Sequence, residues 1–432
     1  MEKISFLFPG QGSQFVGMSK SLFNQYEIAK QTFEEANEIL GIDLAKICFE
    51  GSLAELAKND IAQPAILVSS VVAFRVYMQE IGITPQFCAG HSLGEYSALT
   101  CAGAITFADA VSIARFRGRL ADQIALQDVG AMSIIDGIDK SKVEEECRKL
   151  TTPEQVVAIS CYNSPTQTSI SGEKEIVLSV EEKLLSTGCM VTPLLASAPF
   201  HSPLMTQASE LLRAELEQYS FNWFKFPVIS NVTGLPYNDP DQIVANLVQH
   251  MIKPVQWQAT IQYLKRKGIT LTVEMGPKNV LSNLVAANVE GIEALCFAEK
   301  EDRQSLSNLH ERFPFLRKHF PTIITRCLAA GVATPNTNWN NEEYQAGAIV
   351  PYKRIQDMLQ QLKEEGTSPT EVQMTEALEL LKTIFQTKKL PVKEQEQWFK
   401  QMVDETGNYY TLRDTLNRIL QELVSSSDLM LA

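Results

Sequence analysis

A chain of 432 residues is too long for a single hydrophobic core, so two or three folding units are expected. Apolar residues at 45% and charged residues at 21% are the balance of a soluble globular protein. The formal net charge of −13 argues against nucleic acid or an anionic membrane as the main partner.

The opening run Ile4–Phe8 reads as a strand that ends in the turn Pro9-Gly10, not as a signal peptide. Gly10–Gln14 is a polar loop, and Met18–Leu40 has a helical pattern. Pro64–Ile81 is apolar on most sides, as a buried helix is, and no run is judged long enough to span a bilayer. Pro85–Gly90 is a short strand that feeds the pentapeptide Gly90-His91-Ser92-Leu93-Gly94, with a helix from Leu93 to Cys101 directly after it. Phe107–Ala125 is a further helix, carrying Arg115, Arg117 and Arg119.

The rhythm then changes. Strands at Ala131–Ile135, Val156–Tyr162, Thr168–Ser171 and Cys189–Leu195 alternate with helices at Lys140–Leu150 and Glu173–Thr187. That βαββαβ order is the ferredoxin-like pattern. The α/β alternation resumes with helices at Ser202–Gln218, Asp241–Met251, Gln256–Arg266 and Lys278–Ala287 and strands at Pro227–Ser230 and Thr270–Glu274. Strands and helices alternating on both sides of an insert indicate a mainly parallel sheet covered on both faces. Beyond the polar stretch Thr334–Asn341, amphipathic helices at Arg354–Glu364, Glu371–Thr387, Lys393–Asp404 and Leu412–Leu423 complete the chain. The expected fold is therefore α/β: a hydrolase-like parallel-sheet domain over 1–127 and 198–309, a ferredoxin-like subdomain over 128–197, and a helical C-terminal extension over 310–432.

Gly-x-Ser-x-Gly between a strand and a helix suits a serine nucleophile on a sharp turn. The helix start after Ser92 offers free amide groups, that of Leu93 first, to a developing oxyanion. A serine needs a base, and the five histidines are His91, His201, His250, His310 and His319. His91 diverges from Ser92 as a sequence neighbour, and His310 and His319 sit in a polar region. His201, in Pro199-Phe200-His201-Ser202-Pro203, lies in a strand-to-helix loop of the kind that carries catalytic groups in α/β sheets. On these residues alone esterase, lipase and acyltransferase all remain open. The eight cysteines, with no Cys-x-x-Cys pair, read as reduced thiols of a cytoplasmic protein, and no metal cluster is expected.

The motifs FPGQGSQ at 8–14, GHSLGEYSAL at 90–99, Arg117-Gly118, Asn163-Ser164-Pro165, PFHSPLM at 199–205, Pro254–Trp257 and Glu274–Pro277 occur together and in order. Over roughly residues 1–300 the chain thereby resembles the malonyl-CoA:acyl carrier protein transacylase family, and most of all its discrete, trans-acting members in polyketide and hybrid lipopeptide–polyketide assembly. The resemblance implies Ser92 as nucleophile and His201 as base, with Gln11 and Leu93 as the oxyanion hole. It implies Arg117 as the group that holds a malonyl carboxylate, with Phe200, Ala121 and Asn163 around the acyl group. His250 stands where the family usually has Gln, at the position that orients the base through its main-chain carbonyl.

The resemblance further implies ping-pong transfer of malonyl from CoA to the phosphopantetheine thiol of a carrier protein, by a monomer with no bound cofactor. Ala121 replaces a usual Met and leaves room for an α-substituted extender such as aminomalonyl, whereas Phe200 crowds one, and Phe200 is given more weight. A proofreading acyl hydrolase is the other alternative, against which Arg117 argues. Tyr344, Tyr352 and Ile355 are expected to cover the catalytic domain, as a post-domain linker does, and the helices from Glu371 onward to pack on their neighbours or dock a synthase subunit.

Overall fold

The chain folds, in a computed structural model that describes residues 3–194, 197–309, 322–365, 367, 369–406 and 409–431, into two units, Met1–Arg312 and Phe313–Ala432. His310, His319 and Leu195 lie outside the described residues.

All five residues of the first strand, β1 (Ile4–Phe8), are buried. A strand with no polar face belongs in the middle of a sheet covered on both sides. β1 pairs in parallel with β2 (Phe87–Gly90) on one side and with β8 (Leu271–Glu274) on the other. β7 (Val228–Ile229) and β9 (Glu293–Cys296) extend the sheet to the order β7-β2-β1-β8-β9, parallel throughout. β9 escapes the sequence pattern because only Leu295 and Cys296 of its residues carry an apolar side chain beyond alanine, and Glu293 is exposed.

The second sheet is antiparallel, in the order β4-β5-β3-β6, formed by β3 (Gly130–Asp136), β4 (Val157–Tyr162), β5 (Gln167–Glu173) and β6 (Met190–Pro193). With helices Lys140–Leu150 and Lys174–Leu185 it forms a ferredoxin-like α/β layer with its own core of Ile135, Val143, Ile159, Ile170, Val177 and Val180.

The long apolar helix runs over Asn59–Glu80 and so starts more than a turn before Pro64, where the sequence pattern places it. The reason is tertiary. The Asp122 carboxylate, from helix Phe107–Ala125, accepts the Asn59 and Asp60 amides at 3.1 and 3.0 Å and caps a helix end that has no local cap of its own. The added length corrects a second expectation, since this helix is long and apolar enough to cross a bilayer. Yet 83% of its apolar window is buried within the protein, as in a central core helix.

The predicted Met18–Leu40 helix is broken by extended backbone at Tyr26 into Lys20–Gln25 and Glu27–Leu40. The second unit is helical, with Ile323–Ala333, Val350–Glu365, Glu371–Thr387, Val392–Glu405 and Tyr409–Leu431 around a core that includes Leu378, Leu381, Phe385, Phe399 and Leu416. Ile355 is fully buried in that core, and Tyr344 and Tyr352 pack against it. Helix Ile323–Ala333, absent from the sequence-based expectation, is held at its C-terminus by buried Lys388, whose Nζ donates to the carbonyls of Gly331 and Thr334 at 2.6 and 2.8 Å.

Candidate active site

At the end of β2 the backbone reverses sharply, and Ser92 sits at its crest with φ +52°. That left-handed conformation is strained for any residue with a Cβ. The glycines on either side are there for contact. A Cβ on Gly90 would come within 1.9 Å of the Gly94 carbonyl, and one on Gly94 within 1.9 Å of the Phe8 carbonyl. Helix Gly94–Cys101 therefore starts pressed against the ends of β1 and β2, with Ser92 half-buried at its mouth.

Ser92 Oγ lies 2.8 Å from His201 Nε2. His201 Nδ1 is 2.6 Å from the His250 main-chain carbonyl. A carbonyl only accepts, so Nδ1 carries the proton and Nε2 presents its lone pair to the serine hydroxyl. His201 is also left-handed, with φ +62°, and its amide donates to the Met251 carbonyl at 2.8 Å. Burial first and the charge of Arg117 second push the imidazole down to about 3, so it is neutral and able to take a proton.

His91 points elsewhere. Its Nε2 is 2.8 Å from Asn163 Oδ1, and its ring meets Trp257 edge-on at 5.4 Å. Asn163 completes its contacts at Gln167 Oε1 and Ser169 Oγ, at 3.3 and 3.5 Å, so it links His91 to the small sheet.

Loop 10–14 comes alongside Leu93. A Cβ on Gly10 would stand 2.3 Å from the His91 carbonyl oxygen and 3.6 Å from the Leu93 amide nitrogen, which brings the Gln11 and Leu93 backbone together at the mouth of the turn. The Gln11 side chain turns away and donates to Asn59 Oδ1 at 2.8 Å, while Asn59 Nδ2 donates to Asp122 at 2.7 Å.

Arg117, on helix Phe107–Ala125, is 1% exposed. Nη1 donates to Gln63 Oε1 at 2.8 Å. Among the described residues, Nε and Nη2, the two nitrogens of one guanidinium edge, have no hydrogen-bond partner. The guanidinium carbon lies 4.3 Å from the Phe200 ring centroid and 5.7 Å from that of Tyr96. Gly118 next to it permits the close approach of helix Asn59–Glu80, because a Cβ there would meet the Asn59 carbonyl at 2.3 Å. Buried donors with nothing to donate to are rare, and a planar pair on a cation fits a carboxylate. Ala121, one turn on from Arg117, is fully buried. Arg119 is exposed, whereas Arg115 is half-buried and donates to the Leu40 carbonyl.

Four contributors escape a reading of the sequence. Gln63 and Asn59 are hidden in an apolar helix, and Glu95 and Asn231 look like ordinary polar residues in their motifs. Asn231 Oδ1 accepts the Ser92 amide at 2.8 Å, and Glu95 is fully buried below it. Their burial, of Gln63 among apolar residues and of Asn59 at the helix start between Lys58 and Asp60, is the signal, and one sequence does not display burial.

Residues 5–332 match the acyl transferase domain family. The chain is 38% identical over 395 residues, 91% of its length and 99% of the relative's, to a malonyl CoA-acyl carrier protein transacylase of Bacillus subtilis. Among solved structures, the malonyl CoA-acyl carrier protein transacylase of Coxiella burnetii superposes with a TM-score of 0.68 at 35% identity, covering 70% of this chain and 96% of that one. A malonyl-transacylase solved in complex with the acyl-carrier protein of a type II PKS gives the same TM-score of 0.68 and 35% identity, over 72% of this chain and all of that one.

Proposed function

This chain belongs to the acyl transferase domain family, and from that premise we propose that it moves a malonyl group from CoA, through an ester on Ser92, to the phosphopantetheine thiol of an acyl carrier protein. The observation that carries the reading is the Ser92 Oγ–His201 Nε2 contact of 2.8 Å beside a buried arginine with two unpaired donors on one edge.

In the first half-reaction Ser92 Oγ attacks the thioester carbonyl as its proton passes to His201 Nε2. The carbonyl oxygen becomes an oxyanion that faces the amides of Gln11 and Leu93. Collapse breaks the C–S bond, and the CoA sulfur leaves with the proton from His201. In the second half-reaction the pantetheine thiol gives its proton to His201 and attacks the ester, and Ser92 Oγ leaves with that proton back from His201. Throughout, Arg117 holds the far carboxylate through Nε and Nη2, which fixes the acyl group and selects a dicarboxylic unit. Phe200, stacked on Arg117, shapes the pocket. This tight packing favours malonyl over the α-substituted unit that Ala121 would admit. Asn163 acts on the pocket through His91, and His250 holds the base through its carbonyl.

We read the chain as an acyltransferase domain, 1–127 and 198–309, split by the small subdomain 128–197 and followed by the extension 310–432. We further read it as a monomer of the cytoplasm that serves a polyketide or hybrid synthase in trans. The complex of a similar transacylase with a PKS carrier supports that setting, and eight buried free thiols suit a reducing compartment.

Intact-protein mass spectrometry after brief mixing with malonyl-CoA, then with holo carrier protein, tests the transfer. We expect a malonyl adduct that is absent in Ser92→Ala and moves to the carrier, with acetyl-CoA acylating Ser92 far more slowly. Adduct lost to free malonate at one rate with or without carrier would identify a hydrolase instead.

A further inference from the structure

Beneath the Ser92–His201 pair lies a second buried cluster, of which the transfer steps use the His250 carbonyl alone. Glu95, three residues after the nucleophile, is fully buried. Its Oε1 accepts from the Tyr237 hydroxyl at 2.7 Å and from the Asn231 amide at 3.2 Å. Its Oε2 lies 3.1 Å from Nδ1 of the neutral His250 ring, a close contact without hydrogen-bond geometry.

The Asn231 and His250 contacts lead back to the reacting residues. Asn231 fixes the Ser92 turn from below. Its Oδ1 accepts the Ser92 amide at 2.8 Å and its Nδ2 donates to the Gly90 carbonyl at 2.5 Å. His250 fixes the base, with its carbonyl 2.6 Å from His201 Nδ1 and its ring stacked on the His201 ring at 4.7 Å. One carboxylate thus touches both the residue that holds the nucleophile and the residue that holds the base.

We propose that the buried Glu95–His250 pair is a positioning and charge-balancing element for Ser92 and His201. The inference rests on the reading of those two residues as nucleophile and base. When the serine proton moves to His201, a second positive charge appears close to Arg117. The titratable and charged groups facing this cluster are Arg117, His91, His201, His250, Tyr96, Tyr237 and Glu95, and Glu95 is the one carboxylate among them. In a site of low polarity that is the protein's own negative charge available to offset the new imidazolium, beside whatever carboxylate a donor brings to Arg117.

Burial lifts Glu95 to about 7, against the opposing pull of Tyr237, Asn231 and Arg117, and burial keeps His250 neutral. The compensating charge is therefore present above pH 7 and absent below it. His201, already neutral, adds no step of its own in that range.

A small fluorophosphonate reads this without any malonyl donor. Ser92 Oγ forms the O–P bond, fluoride leaves, and the proton goes to His201. Labelling rates of the full chain between pH 5.5 and 8.5 should rise severalfold through about pH 7. In Glu95→Gln we expect labelling at least tenfold slower at pH 8, with no step. In Tyr237→Phe, which removes a donor to the carboxylate, the step should move to higher pH, and this variant carries the test should Glu95→Gln not fold. Wild-type labelling in Glu95→Gln, a loss equal at every pH, or an unmoved step in Tyr237→Phe would each overturn the proposal. Normal Ser92 labelling with no malonyl adduct would instead sink the donor assignment and leave this proposal standing.

Discussion

Arg117 is a cation 1% exposed with no carboxylate in direct contact, an arrangement that is costly unless a ligand completes it. The same charge lowers the basicity of His201. In the proposed binding mode a malonyl carboxylate would therefore satisfy Nε and Nη2 and also neutralise the field that opposes the imidazolium. Arg117→Ala should cut kcat/KM for malonyl-CoA by roughly a hundredfold or more, equivalent to about 3 kcal/mol for two charge-assisted hydrogen bonds. Acetyl-CoA, which makes neither bond, should lose nothing and gain in relative rate. Stopped-flow acylation with both donors measures this, and an equal loss for the two would mean that Arg117 serves folding alone. The residues themselves are readable to different degrees. Ser92 stands out by its flanking glycines and His201 by elimination among five histidines. Glu95 carries no local mark, because its importance lies in partners more than 100 positions away, Asn231, Tyr237 and His250.

At the scale of elements, the site is assembled where strands stop. β1, β2 and β8 are parallel neighbours, so their C-terminal ends bring loop 10–14, the Ser92 turn and Gly276 to one edge of the sheet. Glu274, the last residue of β8, is fully buried and accepts the Leu281 and Ser282 amides at 3.0 and 2.8 Å, so it caps helix Val280–Asn288 from across the turn. Glu274→Ala should cost about 2–4 kcal/mol of stability through the amides it leaves unpaired, measured by urea denaturation. Burial raises this carboxyl from 4.5 to about 7, so the folded state holds its proton more tightly than the unfolded chain does. Its contribution is then fully present below pH 4.5 and is lost as pH rises towards 7. The cost of Glu274→Gln, which does not titrate, should shrink across that interval, and a cost independent of pH would show that the carboxyl is not protonated in the folded state.

At the scale of the whole molecule, the two units have separate hydrophobic cores, and the core around Leu378, Phe385 and Phe399 is drawn from the second unit alone. A chain ended at residue 312 should fold and form its malonyl adduct within about twofold of the full-length rate. Urea unfolding should show two transitions in the full chain and one in the shortened form, since cores that share no residues unfold independently. An insoluble or inactive short form would overturn this. The 395-residue match to the Bacillus subtilis relative runs past residue 312, so part of the second unit's sequence is matched in a similar transacylase. Transfer to carrier slowed in the short form, with acylation intact, would assign that unit to carrier recognition.

Legible in the amino-acid pattern alone are the alternation of strands and helices, the ferredoxin-like insert, the helical extension and the strained serine turn. Each of these is written in local periodicity or in glycines whose missing Cβ is the point. Packing decides where helix Asn59–Glu80 begins, because its cap comes from Asp122 on another helix. Packing also decides that Arg117 keeps two donors free, that Gln63 takes the third, and that Glu95 meets His250. Burial is what gives these groups their chemistry, and burial is set by what the rest of the chain packs around a residue, which no local pattern records.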